Sequence, residues 1–109
     1  MSNRMVRVNE LLKAELAQFI NQNIPLENGL ITVTQVKASP DLKNATVLVS
    51  VLPDNITGTA LKKLRQNSSV LRSQLKNKIN LKYIPRLTWR LDPTERKADE
   101  LEQVIKDLK

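Results

Sequence analysis

The 109-residue sequence contains no histidine and no cysteine. Without histidine it lacks the side chain most often used for proton transfer near neutral pH. Without cysteine it can form neither a disulfide, a thiolate nucleophile nor a thiolate metal site. Only two glycines are present, Gly29 and Gly58, too few for a P-loop or a dinucleotide-binding fingerprint. The carboxylates lack metal-ligand spacing, and Ser68, Ser69 and Ser73 have no histidine to activate them. These absences point away from an enzyme, and no cofactor or metal is expected.

Aromatic residues are equally few: Phe19, Tyr83 and Trp89. Phe19 and Trp89 fall on apolar faces, and Tyr83 is either a single stacking residue or part of the core. The base-stacking platforms of RNA-recognition motifs and oligonucleotide-binding barrels are therefore excluded. No segment approaches the roughly 20 apolar residues of a membrane span. The N-terminus, MSNRMVRVNELLKAEL, has no apolar run of signal-peptide type. The expectation is a soluble cytoplasmic protein with no membrane partner, a single domain over residues 1–109.

The most informative absence is that of acidic residues from the middle of the chain. The net charge is +7. Residues 1–54 carry five basic and five acidic side chains, and residues 92–109 carry four and six. Residues 55–91 carry nine basic side chains (Lys62, Lys63, Arg65, Arg72, Lys76, Lys78, Lys82, Arg86 and Arg90) and no Asp or Glu. A solvated helix face normally mixes signs to gain (i, i+4) pairs. A segment of one sign repels itself and is suited to a polyanion.

The rest of the pattern is that of a small α+β protein. Arg4 to about Gln22 is amphipathic, with Val8, Leu12, Leu16, Phe19 and Ile20 on one stripe and Ser2 or Asn3 as cap. The cluster Pro25-Leu26-Glu27-Asn28-Gly29 ends it. Leu30–Ala38 and Asn44–Leu52 read as strands joined through Ser39-Pro40-Asp41-Leu42-Lys43. Helices are predicted from Thr57 to Gln66 and from Val70 to Lys78, then a strand after Pro85 with Leu87, Trp89 and Leu91 on one side. Asp92-Pro93-Thr94-Glu95 opens a closing helix with Ala98, Leu101, Ile105 and Leu108 on its apolar face. The order α-β-β-α-(kink)-α-β-α gives one three-stranded sheet with helices packed on one face.

The kink falls at Asn67-Ser68-Ser69, inside a run whose Leu61, Leu64, Leu71, Leu75 and Ile79 keep helical spacing. Asn and Ser compete with helical hydrogen bonds and favour helix starts. A restarted helix presents free N–H groups and the positive end of its dipole, which suits an anion. Alternatively, Ser68 or Ser69 caps the second helix. Arg65, Arg72 and Lys76 lie within one or two turns of the kink. Arg72 has a second reading, as a structural partner of a carboxylate such as Asp92.

At this level of detail the sequence resembles the type-II KH domain, and within it the bacterial ribosome-binding factor A family. The resemblance is carried by Arg4-x-x-Arg7-Val8, Ser39-x-Asp41-Leu42-x-x-Ala45-x-Val47 and Leu71-Arg72-Ser73-x-Leu75. It continues through Leu81-Lys82-Tyr83-Ile84-Pro85-x-Leu87-Thr88-Trp89 and Asp92, in order and over almost the whole chain. It implies a non-catalytic assembly factor for the small (30S) ribosomal subunit, and a monomer is the default expectation. Such a factor touches 16S rRNA near the decoding region, assists late maturation and end-processing, and is associated with cold adaptation. Other assembly factors or GTPases are implied as further partners. Where this family usually has an Ala-x-Gly kink, the chain has Asn67-Ser68-Ser69, which favours a helix-capping turn. The sequence ends at Lys109 without the long polar tail of some members, so no tail function is expected. Carried onto these residues, RNA contact is expected at Arg65, Asn67, Ser68, Ser69, Arg72 and Lys76. Lys78, Lys82 and Arg86 extend that strip, and Arg4 and Arg7 join from the first helix. Two other readings of the basic segment are a helix-turn-helix bound to DNA and a module that binds an acidic protein.

Overall fold

The computed structural model describes residues 3–24, 26–81 and 83–93. Its elements are α1 (Asn3–Asn23), β1 (Leu30–Ala38), β2 (Asn44–Leu52), a 3₁₀ turn (Asp54–Ile56), α2 (Thr57–Gln66), α3 (Ser68–Lys78) and β3 (Arg86–Leu91). The closing helix read from residues 94–109 lies outside the described residues, as does Lys82.

β2 is central because it can bury a full row of side chains. Ala45, Val47, Val49 and Val51 are all buried, and each alternates with a partly or fully exposed neighbour. β1 pairs with it antiparallel from Leu30↔Leu52 to Ala38↔Ala45, with a bulge between Val33 and Gln35. β3 pairs with its other edge in parallel, from Asn44↔Arg86 to Val49↔Leu91. A parallel neighbour requires a crossover, and α2–α3 supplies it. The buried row of the sheet meets Leu12, Leu16 and Ile20 of α1, Ala60 and Leu64 of α2, and Leu71 and Leu75 of α3. Each Leu or Ile so buried contributes about 1.5–3 kcal/mol relative to exposure.

The connections are also set by identifiable side chains. In the five-residue link between β1 and β2, the Asp41 carboxylate accepts from Ser39 Oγ at 2.6 Å and from the Lys43 N–H at 3.0 Å. Those two bonds hold the Asp41 carboxyl below its ordinary range. Asn9 Oδ1 accepts the Ala38 N–H at 2.9 Å, which fixes the N-terminal half of α1 beside the end of β1. Gly29 is obligatory for packing: a Cβ there would meet Ile56 Cδ1 and stand 2.9 Å from the Leu52 carbonyl oxygen. Thr34, the extra residue of the bulge, lies within hydrogen-bond distance of the Leu48 carbonyl at 3.1 Å and the Asp92 carboxylate at 2.6 Å. It thereby ties the chain just after β3 to the far strand.

The alternation leaves the second face of the sheet largely polar, with Leu30, Leu48 and Leu52 as its apolar members. Thr32, Gln35 and Lys37 of β1, Thr46 and Ser50 of β2, and Arg86, Thr88 and Arg90 of β3 lie on it. Among the described residues, no helix packs on this face.

Candidate nucleic-acid interface

The kink is shorter than the sequence predicts. α2 ends at Gln66 and α3 begins at Ser68, so Asn67 alone separates them. Asn67 keeps a near-helical backbone (φ −100°, ψ 6°) and closes α2 rather than opening a loop. Its N–H reaches the Lys63 and Leu64 carbonyls at 3.1 and 3.2 Å, and its Nδ2 donates to Lys63 O at 2.8 Å. The Leu71 N–H reaches back to Asn67 O at 2.9 Å. The N–H groups of the first turn of α3 therefore start a new helix without a side-chain cap.

Neither serine caps α3. Ser68 Oγ donates to Leu64 O at 3.1 Å and accepts from Trp89 Nε1 at 2.9 Å. The hydroxyl is thus a bridge between the end of α2 and the core tryptophan of β3, which is 3% exposed. Ser69 is exposed, beside that bridge. A helix-turn-helix joins its helices at about 90–120° through a turn of three or four residues. A single linking residue is not that motif, so the DNA reading loses its geometric basis.

Around this kink the exposed cations divide by helical period. Lys62 and Arg65 lie three apart on α2, away from buried Ala60 and Leu64. Ser69, Arg72 and Lys76 follow at i, i+3 and i+7 on α3 and share a face. These side chains are exposed on the two helices near the kink. Arg72 is also structural, but not as expected. Its Nη2 donates to the Ile84 carbonyl at 3.1 Å, fixing the segment before β3, while Asp92 Oδ2 accepts from Thr34.

The remaining candidates are not brought into one strip. Lys78 stands on the flank of α3 that faces α1 and lines a groove with Glu15, Gln18, Gln22 and Gln74. Arg86 alternates with buried Leu87, so it points to the opposite face of the sheet from α2 and α3. Arg4 and Arg7 are exposed on the first turns of α1, two strands across the sheet from Trp89. Tyr83 is 52% exposed, outside the core, and Phe19 is half-buried at the α1–α3 groove. The sequence reading missed the Ser68–Trp89 bond, whose partners are 21 residues apart. It also passed over Arg90 and Lys37, whose shared face with Arg86 the strand period signals. Among the described residues, no three His, Cys, Asp or Glu side chains are grouped to hold a metal ion.

Comparison with known proteins gives this geometry a family. Residues 4–105 match the model described as Ribosome-binding factor A. A protein of that name from Opitutus terrae is 34% identical, with 99% of this chain and 89% of the relative covered. One from Rhodopseudomonas palustris strain BisB18 is 36% identical, with 96% and 80% covered. Among solved structures, the crystal structure of ribosome-binding factor A from Thermus thermophilus superposes with a TM-score of 0.72 at 25% identity. It covers 80% of this chain and 94% of its own. The T. thermophilus homology model fitted into a cryo-EM map of a 30S complex gives a TM-score of 0.65 at 25% identity, with 75% and 88% covered. With a family match along nearly its whole length and the same fold in solved members, the chain belongs to the ribosome-binding factor A family.

Proposed function

We propose that this protein is a non-catalytic assembly factor that binds the free small ribosomal subunit and contacts its 16S rRNA from the α2–α3 side. The observation that carries this is the arrangement at the kink. Exposed Arg65, Ser69, Arg72 and Lys76 lie on α2 and α3 to either side of the kink, in a segment with no carboxylate. Family membership supports the ribosomal target, as does the related Thermus factor placed in a 30S complex. With only three aromatic residues, recognition proceeds through phosphates and shape rather than base stacking. Late maturation and end-processing of the RNA, including growth in the cold, are the steps such binding serves. It acts as a cytoplasmic monomer, and other assembly factors or GTPases share the subunit with it.

The test is sedimentation of the tagged protein from a lysate through sucrose gradients at low and high salt. Co-migration with free small subunits but not with complete ribosomes, lost at high salt, is expected. Protein remaining at the top of the low-salt gradient refutes the proposal. Neutralisation of about six phosphates predicts a log–log salt slope of roughly −4 to −5.

A further inference from the structure

The sheet face opposite α1, α2 and α3 carries a second set of cations, turned away from the kink. Lys37 of β1 and Arg86 and Arg90 of β3 alternate with buried Val36, Leu87 and Trp89, so all three side chains leave the sheet on the face opposite α1, α2 and α3. The register places Lys37, Thr46 and Thr88 in one row across the three strands, with Arg86 and Arg90 two residues to either side of Thr88. Neighbouring strands lie about 4.8 Å apart and residues rise about 3.3 Å along a strand. The three cations therefore form a triangle with sides of about 12–13 Å.

Thr46 lies inside the triangle and Thr88 midway along its Arg86–Arg90 side, while Gln35 and Leu48 form the neighbouring row that ends at Arg90, giving hydroxyls, one amide and an aliphatic side chain. No aromatic ring lies among the strand residues of this face. Among the described residues, no side-chain ion pair or hydrogen bond engages Lys37, Arg86 or Arg90. The nearby carboxylate, Asp92, receives a hydrogen bond from Thr34.

Resting on the reading that the chain binds ribosomal RNA, we infer that this face takes a second, double-helical segment of RNA. The A-form helix offers a wide, shallow groove lined by 2′-hydroxyls and bordered by phosphates, and proteins read it by shape and by those contacts. A flat floor with hydroxyl and amide groups, edged by three exposed cations, complements such a groove. It offers nothing on which an unstacked single strand could stack. Because the sheet and the helices back onto each other, the duplex on this face and the RNA at the kink are different segments. The protein holds the two together.

The experiment uses the full chain, a short blunt RNA duplex, and a DNA duplex of the same sequence, with binding followed by anisotropy. Three phosphate contacts give a slope of about −2.7, or roughly 40-fold weaker binding between about 50 and 200 mM salt. The RNA duplex should bind the wild type with that dependence and bind Lys37→Ala/Arg86→Ala/Arg90→Ala without it. All three residues are exposed, so a matching melting temperature confirms that the triple variant folds. Unchanged duplex binding by the triple variant overturns the inference, and equal affinity for the DNA duplex overturns the assignment to RNA. If the triple variant leaves the small subunit while the wild type shows no affinity for duplex RNA, the face belongs to an acidic protein and the inference falls. Co-sedimentation of wild type with the subunit is read separately, so the proposed function stands or falls independently.

Discussion

Removing the Ser68 hydroxyl should cost far more than a half-buried serine ordinarily does. Ser68→Ala leaves the Trp89 Nε1–H, on a side chain that is 3% exposed, without the oxygen now 2.9 Å away. A buried donor left unsatisfied costs about 1–3 kcal/mol. The Leu64 carbonyl, which also loses a donor, keeps the Asn67 N–H at 3.2 Å, so it adds little. A loss of about 2 kcal/mol is expected, which for a domain of this size lowers Tm by roughly 8–16 °C. The control is a double-mutant cycle with Trp89→Phe, which removes the donor and some packing together. In that background nothing is left unsatisfied, and Ser68→Ala should cost no more than about 0.5 kcal/mol. Urea denaturation followed by far-UV circular dichroism reads all four proteins on one scale. A cost that is equal in both backgrounds would show that Ser68 acts by something other than its bond to Trp89.

Further perturbations address the other contacts. Gly29→Ala forces a methyl against Ile56 and the Leu52 carbonyl, so a loss of about 1–3 kcal/mol by chemical denaturation is expected. Thr34→Val removes the hydrogen bond to Asp92 and should destabilise by about 1–2 kcal/mol while leaving m unchanged. Asp41 has a folded pKa depressed by Ser39 and the Lys43 N–H. Its contribution is present above the unfolded carboxylate value of about 3.9 and is lost as pH falls through the folded value. Asp41→Asn should therefore lower stability at neutral pH and flatten the acid limb of the stability curve. Arg65→Ala/Lys76→Ala should weaken subunit binding and reduce the salt slope by about 2 with Tm nearly unchanged. Arg72→Ala is the less clean probe, since it also releases the Ile84 carbonyl.

β2 was legible because its periodicity is complete, and β1 from its β-branched run although a bulge interrupts its alternation. Ala45, Val47, Val49 and Val51 alternate without a break, and both strands of the hairpin span the residues that the pattern marks. Composition marks the kink equally well, but not its length. Asn67 can hold near-helical angles while closing one helix and opening the next, and nothing local distinguishes that from a three-residue turn. The role of Ser68 depends on a tryptophan that only the folded sheet brings near it. Charge counting along the chain groups Arg86 with Arg72 and Lys76, whereas the period of two in β3 sends it to the other side of the sheet. Sequence proximity and shared surface are different quantities wherever a strand follows a helix.

The parallel pairing of β2 with β3 also fixes the order in which the molecule can assemble. Every paired position in that ladder is separated by 42 residues, from 44 with 86 to 49 with 91. The β1–β2 hairpin closes over a link of only a few residues. Loop-closure entropy has to be met before distant contacts return anything. The hairpin with α1 can therefore form early, and β3 docks once the crossover helices are in place. Trp89 reaches Ser68 only at that last stage. Ser68→Ala should then accelerate unfolding and leave the refolding rate almost untouched, a φ-value near zero at the kink of the protein.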